Sequence, residues 1–475
     1  MDLHVSLDGP GDLTGKVYGQ IRTAIVDGRL SAGERLPSSR ELADRLAVSR
    51  NTVGVAYDRL AAEGFVRAQV GAGTFVTDER PHPAVDRRPD SPLRPRAVWD
   101  RIGEPPAMAD AAVEFDFRAG IPDATRFPYS TWRAMLAEEL RPTAVGTGTH
   151  IDPAGLPALR AAIAQHIGVS RAVRAVPDEV FVTSGSQQAV DLVTRVLIEP
   201  GDTVAMEDPG YLPVRRAFVA HGAKVADVPV DAEGLVVEAL PDHARLVYVT
   251  PSHQYPLGTA MSLRRRLALL RWAERTGAAV LEDDYDSEYR YGGRPLEPLH
   301  SLDHTGRVLY VGSFSKVLLP TLRLGFLVAP PPLRSALRKA KHVTDWHTEV
   351  PVQAVAARFL ADGHLSRHVR RMRAVYATRH HLIRSRLARS FAGRLDAIPS
   401  VAGLHIAAYL PTGTDDMDVA VRAFAAGVVL QPLSRYRQAV STSPGLILGY
   451  GAIPTERIEE GLRRLGRVLD DPPGR

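Results

Sequence analysis

The sequence has no cysteine, only five lysines against 54 arginines, and aromatic residues at 6% of its 475 positions. Without cysteine there is neither a disulfide nor a thiolate metal site, which fits a reducing compartment. No apolar run reaches the length of a membrane span, and the first residues lack the basic start and apolar stretch of a signal peptide. These absences predict a cytoplasmic protein with no metal site and no membrane contact.

The chain is too long for one ordinary hydrophobic core, so two or three domains are expected. The net charge of +5 suggests a nucleic-acid partner, but residues 1–80 carry ten Lys/Arg against eleven Asp/Glu. Charge alone therefore does not identify a DNA-binding region. Such a prediction must rest on the placement of particular residues.

Residues 1–77 have the pattern of three short helices followed by a β-hairpin. Apolar residues recur at helical spacing over residues 13–25, while Ser38 and Ser49 are placed to cap the second and third helices. Residues 64–68 and 73–76 predict two short strands with glycines near the tip. This order predicts a winged helix-turn-helix domain, whose third helix enters the major groove of DNA.

A helix in the major groove presents its first residues to base edges, where arginine pairs with guanine and asparagine with adenine. The residues predicted to contact DNA are Arg40, Ser49, Arg50, Asn51, Thr52 and, in the wing, Gly73. Residues 13–77 closely resemble the GntR family of bacterial regulators. The resemblance implies that the partner is a double-stranded DNA operator.

Residues 78–112 alternate prolines with arginines, which predicts an extended linker between domains. Beyond it, short apolar strands alternate with helical segments, as in an α/β domain with a mostly parallel sheet. We assign residues 113–475 to this domain, with a large part over about residues 150–350 and a smaller part over about residues 365–475.

The second domain contains the groups that pyridoxal 5'-phosphate (PLP) requires. A lysine in a dry cleft can attack an aldehyde as the neutral amine, and the pyridine nitrogen of PLP needs a carboxylate partner. Lys316 and Asp283 lie at predicted strand ends, where α/β sheets place ligand contacts. We predict a Schiff base between Lys316 and PLP. The other predicted cofactor-binding residues are Asp283, Tyr285, Tyr211, Ser184, Gly185, Ser186, Gln187, Ser313 and Arg323.

The order of these motifs over residues 113–475 resembles the fold-type I PLP enzymes, specifically the aspartate aminotransferase-like group. The two halves together resemble the MocR subfamily of GntR regulators. That resemblance implies an aminotransferase-like effector domain that binds PLP, and a head-to-tail homodimer. The ligand that such a domain senses is then PLP itself or its adduct with a small-molecule effector, an amine or amino acid.

Three positions depart from the aminotransferase pattern. The asparagine that contacts the phenolic oxygen of PLP is absent from residues 252–258, and His150 stands where relatives carry a tyrosine that reaches the partner subunit. The arginine that clamps a substrate carboxylate is missing from residues 446–450, and Arg435 is the candidate substitute at an effector site.

Three functions stay open at this point. The first is a PLP-dependent transcription factor that controls vitamin B6, amino-acid or amine metabolism. The second is a working aminotransferase whose N-terminal segment has another role, such as dimerisation. The third is a regulator with a vestigial PLP site. The missing carboxylate clamp and the DNA-facing residues favour the first.

Overall fold

A computed structural model of the chain describes residues 5–7, 12–69, 71–77, 94–104, 113–141, 149–292, 297–438 and 443–471. The chain folds as two compact units, residues 1–95 and 96–475. Most of the predicted linker lies outside the described residues. In the part that is described, a 3-10 turn covers Trp99–Arg101, and Arg96 donates to the carbonyl of Ala220 at 3.1 Å.

The first unit consists of three helices and an antiparallel hairpin, as predicted. The elements are α1 (Leu13–Val26), α2 (Ser39–Leu46), α3 (Arg50–Ala62), β1 (Val66–Gln69) and β2 (Gly73–Val76). Its core includes Ile21, Val53 and Leu60, which are fully buried.

Both predicted helix caps of the first unit are confirmed. The Ser38 hydroxyl accepts from the amide of Glu41 at 3.2 Å, and the Ser49 hydroxyl accepts from the amide of Thr52 at 3.0 Å. The Glu41 carboxylate binds Arg45 at 2.5 Å instead of completing a reciprocal capping box. These caps fix where α2 and α3 begin, and hence which residues stand at the start of α3.

The second unit is an α/β structure with two sheets of different size. Its strands are β3 (Phe115–Asp116), β4 (Val180–Thr183), β5 (Thr203–Asp208), β6 (Lys224–Asp231), β7 (Gly234–Leu235), β8 (Leu246–Val249), β9 (Ala279–Asp284), β10 (Val308–Ser313), β11 (Gly325–Val328), β12 (Asp396–Ala397), β13 (His405–Tyr409), β14 (Val428–Val429), β15 (Gln431–Pro432) and β16 (Gly445–Gly449). Its helices are α4 (Tyr129–Glu139), α5 (Pro157–Arg171), α6 (Gly185–Leu197), α7 (Leu212–Ala220), α8 (Leu263–Thr276), α9 (Leu299–Leu302), α10 (Arg334–Thr344), α11 (Val350–Ala361), α12 (His364–Ser390), α13 (Asp416–Ala425) and α14 (Ile458–Asp470).

The large sheet has the strand order β4-β11-β10-β9-β8-β5-β6-β7. The pairs from β10 to β6 are parallel, which confirms the predicted mostly parallel sheet, and β11 is antiparallel to both its neighbours. As a result, Thr183, Gly325 and Ser313 lie side by side across three strands. The ends of β4 and β10 therefore meet at one edge of the sheet.

The smaller sheet, β12-β13-β16-β15, is antiparallel and belongs to the C-terminal part of the unit. The short parallel pair β3 and β14 joins the beginning of the unit to that part. None of the helices in the described ranges combines the length and apolar character that crossing a membrane requires.

Candidate functional site

The candidate site in the second unit lies where β4, β5, β9 and β10 end. Lys316 follows β10, and its Nζ donates to the carbonyl of Gly120 at 2.6 Å. Burial lowers the pKa of Lys316, while the carboxylates of Asp286 and Asp283 oppose that shift. The lysine is thereby biased towards the neutral amine that attacks an aldehyde.

Asp283, on β9, is 3% exposed, and one oxygen of its carboxylate, Oδ2, accepts from the hydroxyl of Tyr248 at 2.8 Å. The other oxygen, Oδ1, is buried and has no hydrogen-bond partner in the described parts of the chain. Burial raises the pKa of Asp283 to about 7. An orphaned buried carboxylate oxygen fits the protonated pyridine nitrogen of PLP, since it needs a donor and a positive charge.

The loop between β4 and α6 and the residue Arg323 form a cup lined with hydrogen-bond donors. Arg323 has a left-handed backbone with φ +48°, and its Nη2 donates to the carbonyl of Ser184 at 2.7 Å. A Cβ on Gly185 would lie 3.0 Å from that guanidinium, so a side chain there would crowd it. Helix α6 has no side-chain N-cap, so its first amides remain available to an anion.

Ser184 is held on both sides of its backbone. Besides the bond from Arg323 to its carbonyl, its amide donates to Gln188 Oε1 at 2.8 Å. That amide already donates within the protein, so only the hydroxyl of Ser184 is available to bind a ligand. The next amides, at the start of α6, are those of Gly185, Ser186 and Gln187. The hydroxyl of Ser313, at the end of β10, accepts from the amide of Ser315 at 3.1 Å.

Tyrosines surround the space above Lys316 and Asp283. The ring of Tyr211 lies 5.2 Å from that of Tyr255, and burial raises the pKa of Tyr211 to about 12. Tyr255 also lies 5.3 Å from Tyr436 and 6.0 Å from Tyr285. Tyr211, Tyr255 and Tyr285 follow the strands β5, β8 and β9, so the loops after three different strands bring aromatic rings together beside the site.

Arg435 and His150, the two positions singled out as departures, have different surroundings. Arg435 is exposed on a 3-10 turn, Leu433–Tyr436, and its side chain has no hydrogen bond or ion pair with any described residue. The next residue is tied to the site, because the Tyr436 carbonyl accepts from the amide of Gly210 at 3.0 Å. His150 contacts His347, with 3.2 Å between ring nitrogens.

Several contacts of the site were not predicted from the sequence. They come from Gly120, Gln188, Tyr248, Tyr255 and His253. Tyr248 carried a signal, because a tyrosine inside a buried strand needs a partner for its hydroxyl. The other four gave no such signal in the sequence, because the contacts of a backbone carbonyl or a loop side chain depend on which residues the fold brings next to it.

In the first unit, the predicted DNA-contacting residues lie together at the start of α2 and α3 and in the wing. Arg40, Arg50 and Asn51 are exposed, and the side chains of all three lack a hydrogen bond or ion pair within the described residues. Ser49 and Thr52 bond to each other, with 2.8 Å between hydroxyl oxygens.

The wing glycine is tightly placed. Gly73 has φ +120°, and a Cβ there would lie 2.8 Å from Nε of Arg35, whose backbone pairs with Phe75. Arg35 therefore packs across the wing beside the predicted DNA-contacting surface. It was not among the predicted residues.

Comparisons with known proteins account for both units. The gntR family of bacterial regulatory proteins matches residues 13–76, and the aminotransferase class I and II family matches residues 127–434. The chain is 36% identical over 457 residues to the probable rhizopine catabolism regulatory protein MocR of Rhizobium meliloti, across 95% of this chain and 92% of that protein. The chain belongs to the MocR-type GntR regulators.

Further comparisons agree with this assignment. This MocR-type regulator is 33% identical to the pyridoxine biosynthesis transcriptional regulator PdxR of Corynebacterium glutamicum, over 95% of each chain. Its second unit is similar to LysN, an α-aminoadipate aminotransferase from Thermus thermophilus, with a TM-score of 0.69 and 32% identity. That match covers 74% of this chain and 91% of LysN, whose structure contains N-(5'-phosphopyridoxyl)-L-leucine. The predicted fold class and family are confirmed: a DNA-binding helix-turn-helix joined to the fold of a PLP-dependent family.

Proposed function

We propose that this MocR-type regulator binds PLP covalently through Lys316 and that the state of this pocket controls its DNA binding. The observation that carries the proposal is the buried Oδ1 of Asp283, which has no partner in the described part of the chain and lies in the same site as Lys316. When bound, PLP supplies an aldehyde that exchanges amines and a ring that withdraws electrons.

In this proposal the residues of the site have separate tasks. Asp283 holds the ring nitrogen, Tyr211 stacks on the ring and Tyr285 faces its phenolic oxygen. Ser184, Gly185, Ser186, Gln187, Ser313 and Arg323 hold the phosphate. The fit at the phosphate is supported by the uncapped start of α6 and by the guanidinium of Arg323 beside Gly185.

The left-handed backbone of Arg323 supports its assignment to ligand binding. A non-glycine residue in this conformation costs on the order of 1–3 kcal/mol, and such residues cluster at functional sites. Here the guanidinium bond to Ser184 holds the residue in place. The conformation turns the side chain back over the start of α6, where the phosphate would lie.

For DNA, we propose that α3 enters a major groove with Arg50 and Asn51 at base edges. Arg40, Ser49 and Thr52 then contact phosphates or bases, and the wing approaches the duplex at Gly73. The side chains of Arg40, Arg50 and Asn51 support this, because they are exposed and no other described residue binds them, which leaves their donors available to DNA.

We further propose a head-to-tail homodimer in which PLP, or its adduct with an amine or amino acid, selects one spacing of the two DNA-binding units. A ligand can shift that equilibrium only by binding the two arrangements unequally. The names of relatives, rhizopine catabolism for MocR and pyridoxine biosynthesis for PdxR, support control of amine or vitamin B6 metabolism. Arg435, exposed and unpaired within the described residues, is the proposed contact for an effector carboxylate.

The test combines covalent trapping with DNA retention. Borohydride reduction of the PLP-treated protein should leave a pyridoxyl group on the peptide that contains Lys316, found by peptide mass mapping. DNA carrying the promoter beside this protein's own gene should be retained, with an affinity that changes when PLP is added. Absence of the label rejects the cofactor assignment. Equal DNA affinity with and without PLP rejects the proposal that PLP controls DNA binding.

A second candidate function is transamination. It is favoured by the lysine, carboxylate and phosphate cup and by the relative aromatic-amino-acid aminotransferase 1 of Thermococcus litoralis, which is 29% identical over 74% of this chain. Turnover of an amino donor with a keto acid, measured beside sequence-specific DNA retention, separates the two functions. Multiple turnovers without operator binding would favour the enzyme.

A further inference from the structure

A buried histidine–aspartate pair stands directly behind Tyr285. His253 Nδ1 lies 3.0 Å from Asp286 Oδ2 and 3.2 Å from Asp286 Oδ1, and both residues are nearly inaccessible to solvent. The hydroxyl of Tyr285 lies 3.0 Å from the same Nδ1 and 2.9 Å from the carbonyl oxygen of His253. His253 belongs to the stretch 252–258, in which the expected asparagine is absent.

The hydrogen atoms in this cluster can be assigned from the acceptors. An ionised carboxylate only accepts, so the proton on His253 must be on Nδ1, facing Asp286. The Tyr285 oxygen is within reach of that same N–H and accepts from it. The single hydroxyl proton of Tyr285 is then donated either to the His253 carbonyl or to a group in the pocket.

We propose that His253, held by Asp286, is a positioning residue that directs the hydroxyl of Tyr285 at the phenolic oxygen of bound PLP. The Nδ1–H of His253 fixes the Tyr285 oxygen as an acceptor. The tyrosine proton, which is donated to the His253 carbonyl at 2.9 Å, is then the one that turns into the pocket when PLP is bound. In aminotransferases an asparagine contacts the phenolic oxygen directly. Here the His253–Asp286 pair acts on that oxygen only through the hydroxyl of Tyr285. The inference rests on the proposed function, since it requires PLP in the site.

The surroundings hold the pair rigidly. Gly403 has φ +83°, and a Cβ there would overlap the ring of His253 and the carboxylate of Asp286. The carbonyl of Gly403 accepts from the hydroxyls of Tyr291 at 2.6 Å and Tyr450 at 2.7 Å. On the far side of the ring, His253 Nε2 lies 3.2 Å from the hydroxyl of Ser400. Because these contacts fix His253 and Asp286, the pair can orient the hydroxyl of Tyr285 without rearranging when a ligand binds.

Asp286 also adds to the charge balance of the pocket. Its carboxylate is the largest of the charges that oppose the burial-induced lowering of the pKa of Lys316. The other titratable groups that face the pair from the elements packed around it are Lys316, Asp283, Glu288, His405, His380, Tyr291 and Tyr450. Removing His253 therefore leaves a buried charge beside Lys316, and the test must separate that effect from the effect on Tyr285.

The test is a double-mutant cycle on the affinity for PLP, using full-length protein. Tyr285→Phe and His253→Asn are each expected to raise the Kd for PLP roughly three- to tenfold, the size of one net hydrogen bond. The double variant should bind no worse than Tyr285→Phe alone, because His253 acts through the tyrosine hydroxyl. If the two losses multiply in the double variant, the proposal is overturned.

A second readout separates positioning from a structural role. The pH at which the visible absorbance of the PLP-loaded protein changes by half should move upward in both single variants, since fewer hydrogen bonds stabilise the ionised phenolic oxygen. It should move no further in the double variant. An unchanged profile in His253→Asn, beside a shifted profile in Tyr285→Phe, would also overturn the proposal.

Two further variants keep the test decisive. Lys339→Ala changes an exposed residue outside the pocket and is expected to leave the Kd within about twofold, well below one hydrogen bond. If His253→Asn does not fold, Asp286→Asn keeps the volume, and the same non-additivity with Tyr285→Phe is required of it. Failure of the parent protein to bind PLP would reject the proposed function itself, whereas binding with multiplying losses rejects only this inference.

Discussion

The two units of this regulator present their candidate functional residues in opposite ways. In the first unit, Arg40, Arg50 and Asn51 are exposed and unpaired within the described residues. In the second unit, Asp283 is buried against Tyr248, and Lys316 donates to Gly120. The first arrangement suits a large partner that brings its own hydrogen-bond acceptors, and the second suits a small molecule that the protein surrounds.

This difference has an energetic consequence. An exposed side chain stays hydrated until its partner arrives, so its removal should weaken binding and leave stability nearly unchanged. A buried polar group is held by partners that lose their own hydrogen bonds when it is removed, so its substitution should change both stability and binding. Substitutions in the two units should therefore fall into two classes.

The largest expected effect is the loss of covalent PLP in Lys316→Ala. We expect neither a pyridoxyl label after borohydride reduction nor the visible absorbance of bound PLP, because the attacking amine is gone. The fold should persist, as shown by circular dichroism. The exposed Lys339 supplies a control, since Lys339→Ala should be labelled like the parent. A label that survives in Lys316→Ala would assign the attachment to another lysine.

The second-largest effect is expected from Asp283→Asn, on how the stability of the PLP-free protein depends on pH. Burial raises the pKa of Asp283 to about 7. From about pH 4 upward the unfolded state loses this proton first, so the contribution of Asp283 to stability falls as the pH rises towards the folded pKa. Asp283→Asn should therefore gain stability relative to the parent over that range, by on the order of a few kcal/mol. Urea unfolding at several pH values measures this.

The carboxylate of Asp284, next to Asp283 in the chain, provides a control because its pKa is shifted in the opposite direction. Burial acts to raise the pKa of Asp284, but Arg171, whose Nε lies 2.7 Å from Asp284 Oδ2, holds it below its usual value. The stability that Asp284 contributes is present above its unfolded pKa and is lost as the pH falls. Asp284→Asn should therefore lose stability relative to the parent as the pH rises. Parallel pH profiles for the two variants would contradict both assignments.

A smaller effect is expected at the DNA-facing surface. Arg50→Ala should cost about 1–3 kcal/mol of discrimination between operator and unrelated DNA, since one bidentate base contact is lost. The matched control on the same helix is Arg59→Ala, because Arg59 binds Glu63 at 3.1 Å and stacks on Tyr18. Operator competition assays at fixed salt measure the difference. Equal discrimination by Arg50→Ala and the parent would remove Arg50 from the interface.

The smallest effect is expected in the wing. Gly73→Ala should destabilise the hairpin by about 1–2 kcal/mol, because its φ of +120° disfavours a side chain and Arg35 occupies the space. Gly71→Ala is the control, since Gly71 has φ +79° but no heavy atom within 4 Å of its Cβ position. Amide hydrogen exchange of the hairpin should show faster opening in Gly73→Ala than in Gly71→Ala. Equal exchange would show that Arg35 does not constrain the wing.

Local sequence signals predicted the elements of both units well. The caps at Ser38 and Ser49 were predicted because a hydroxyl before a helix has an obvious amide to accept from. The short apolar strands predicted for the second unit are present, for example Val180–Thr183 and Leu246–Val249. In both cases the deciding interactions lie within a few residues along the chain.

The interior of the pocket was less predictable. Ser184 was predicted only as a cofactor-binding residue, and its amide donates to Gln188. The absence of the asparagine gave no hint that His253 and Asp286 stand behind Tyr285. Bonds such as that from Lys316 to Gly120 join residues 196 positions apart. No periodicity reports a contact of that kind.

The sequence by itself determined the two chemistries proposed for this protein: a helix whose first residues can face bases, and a carboxylate, a lysine and an arginine in an order like that of PLP-dependent enzymes. Each depends on residue type and on local spacing. Only the tertiary structure decided which donors have no partner among the described residues, that one oxygen of Asp283 is likewise unpaired there, and that His253 reaches Tyr285. These facts depend on how distant strand ends converge, because a buried polar group is defined by the neighbours that the fold brings to it.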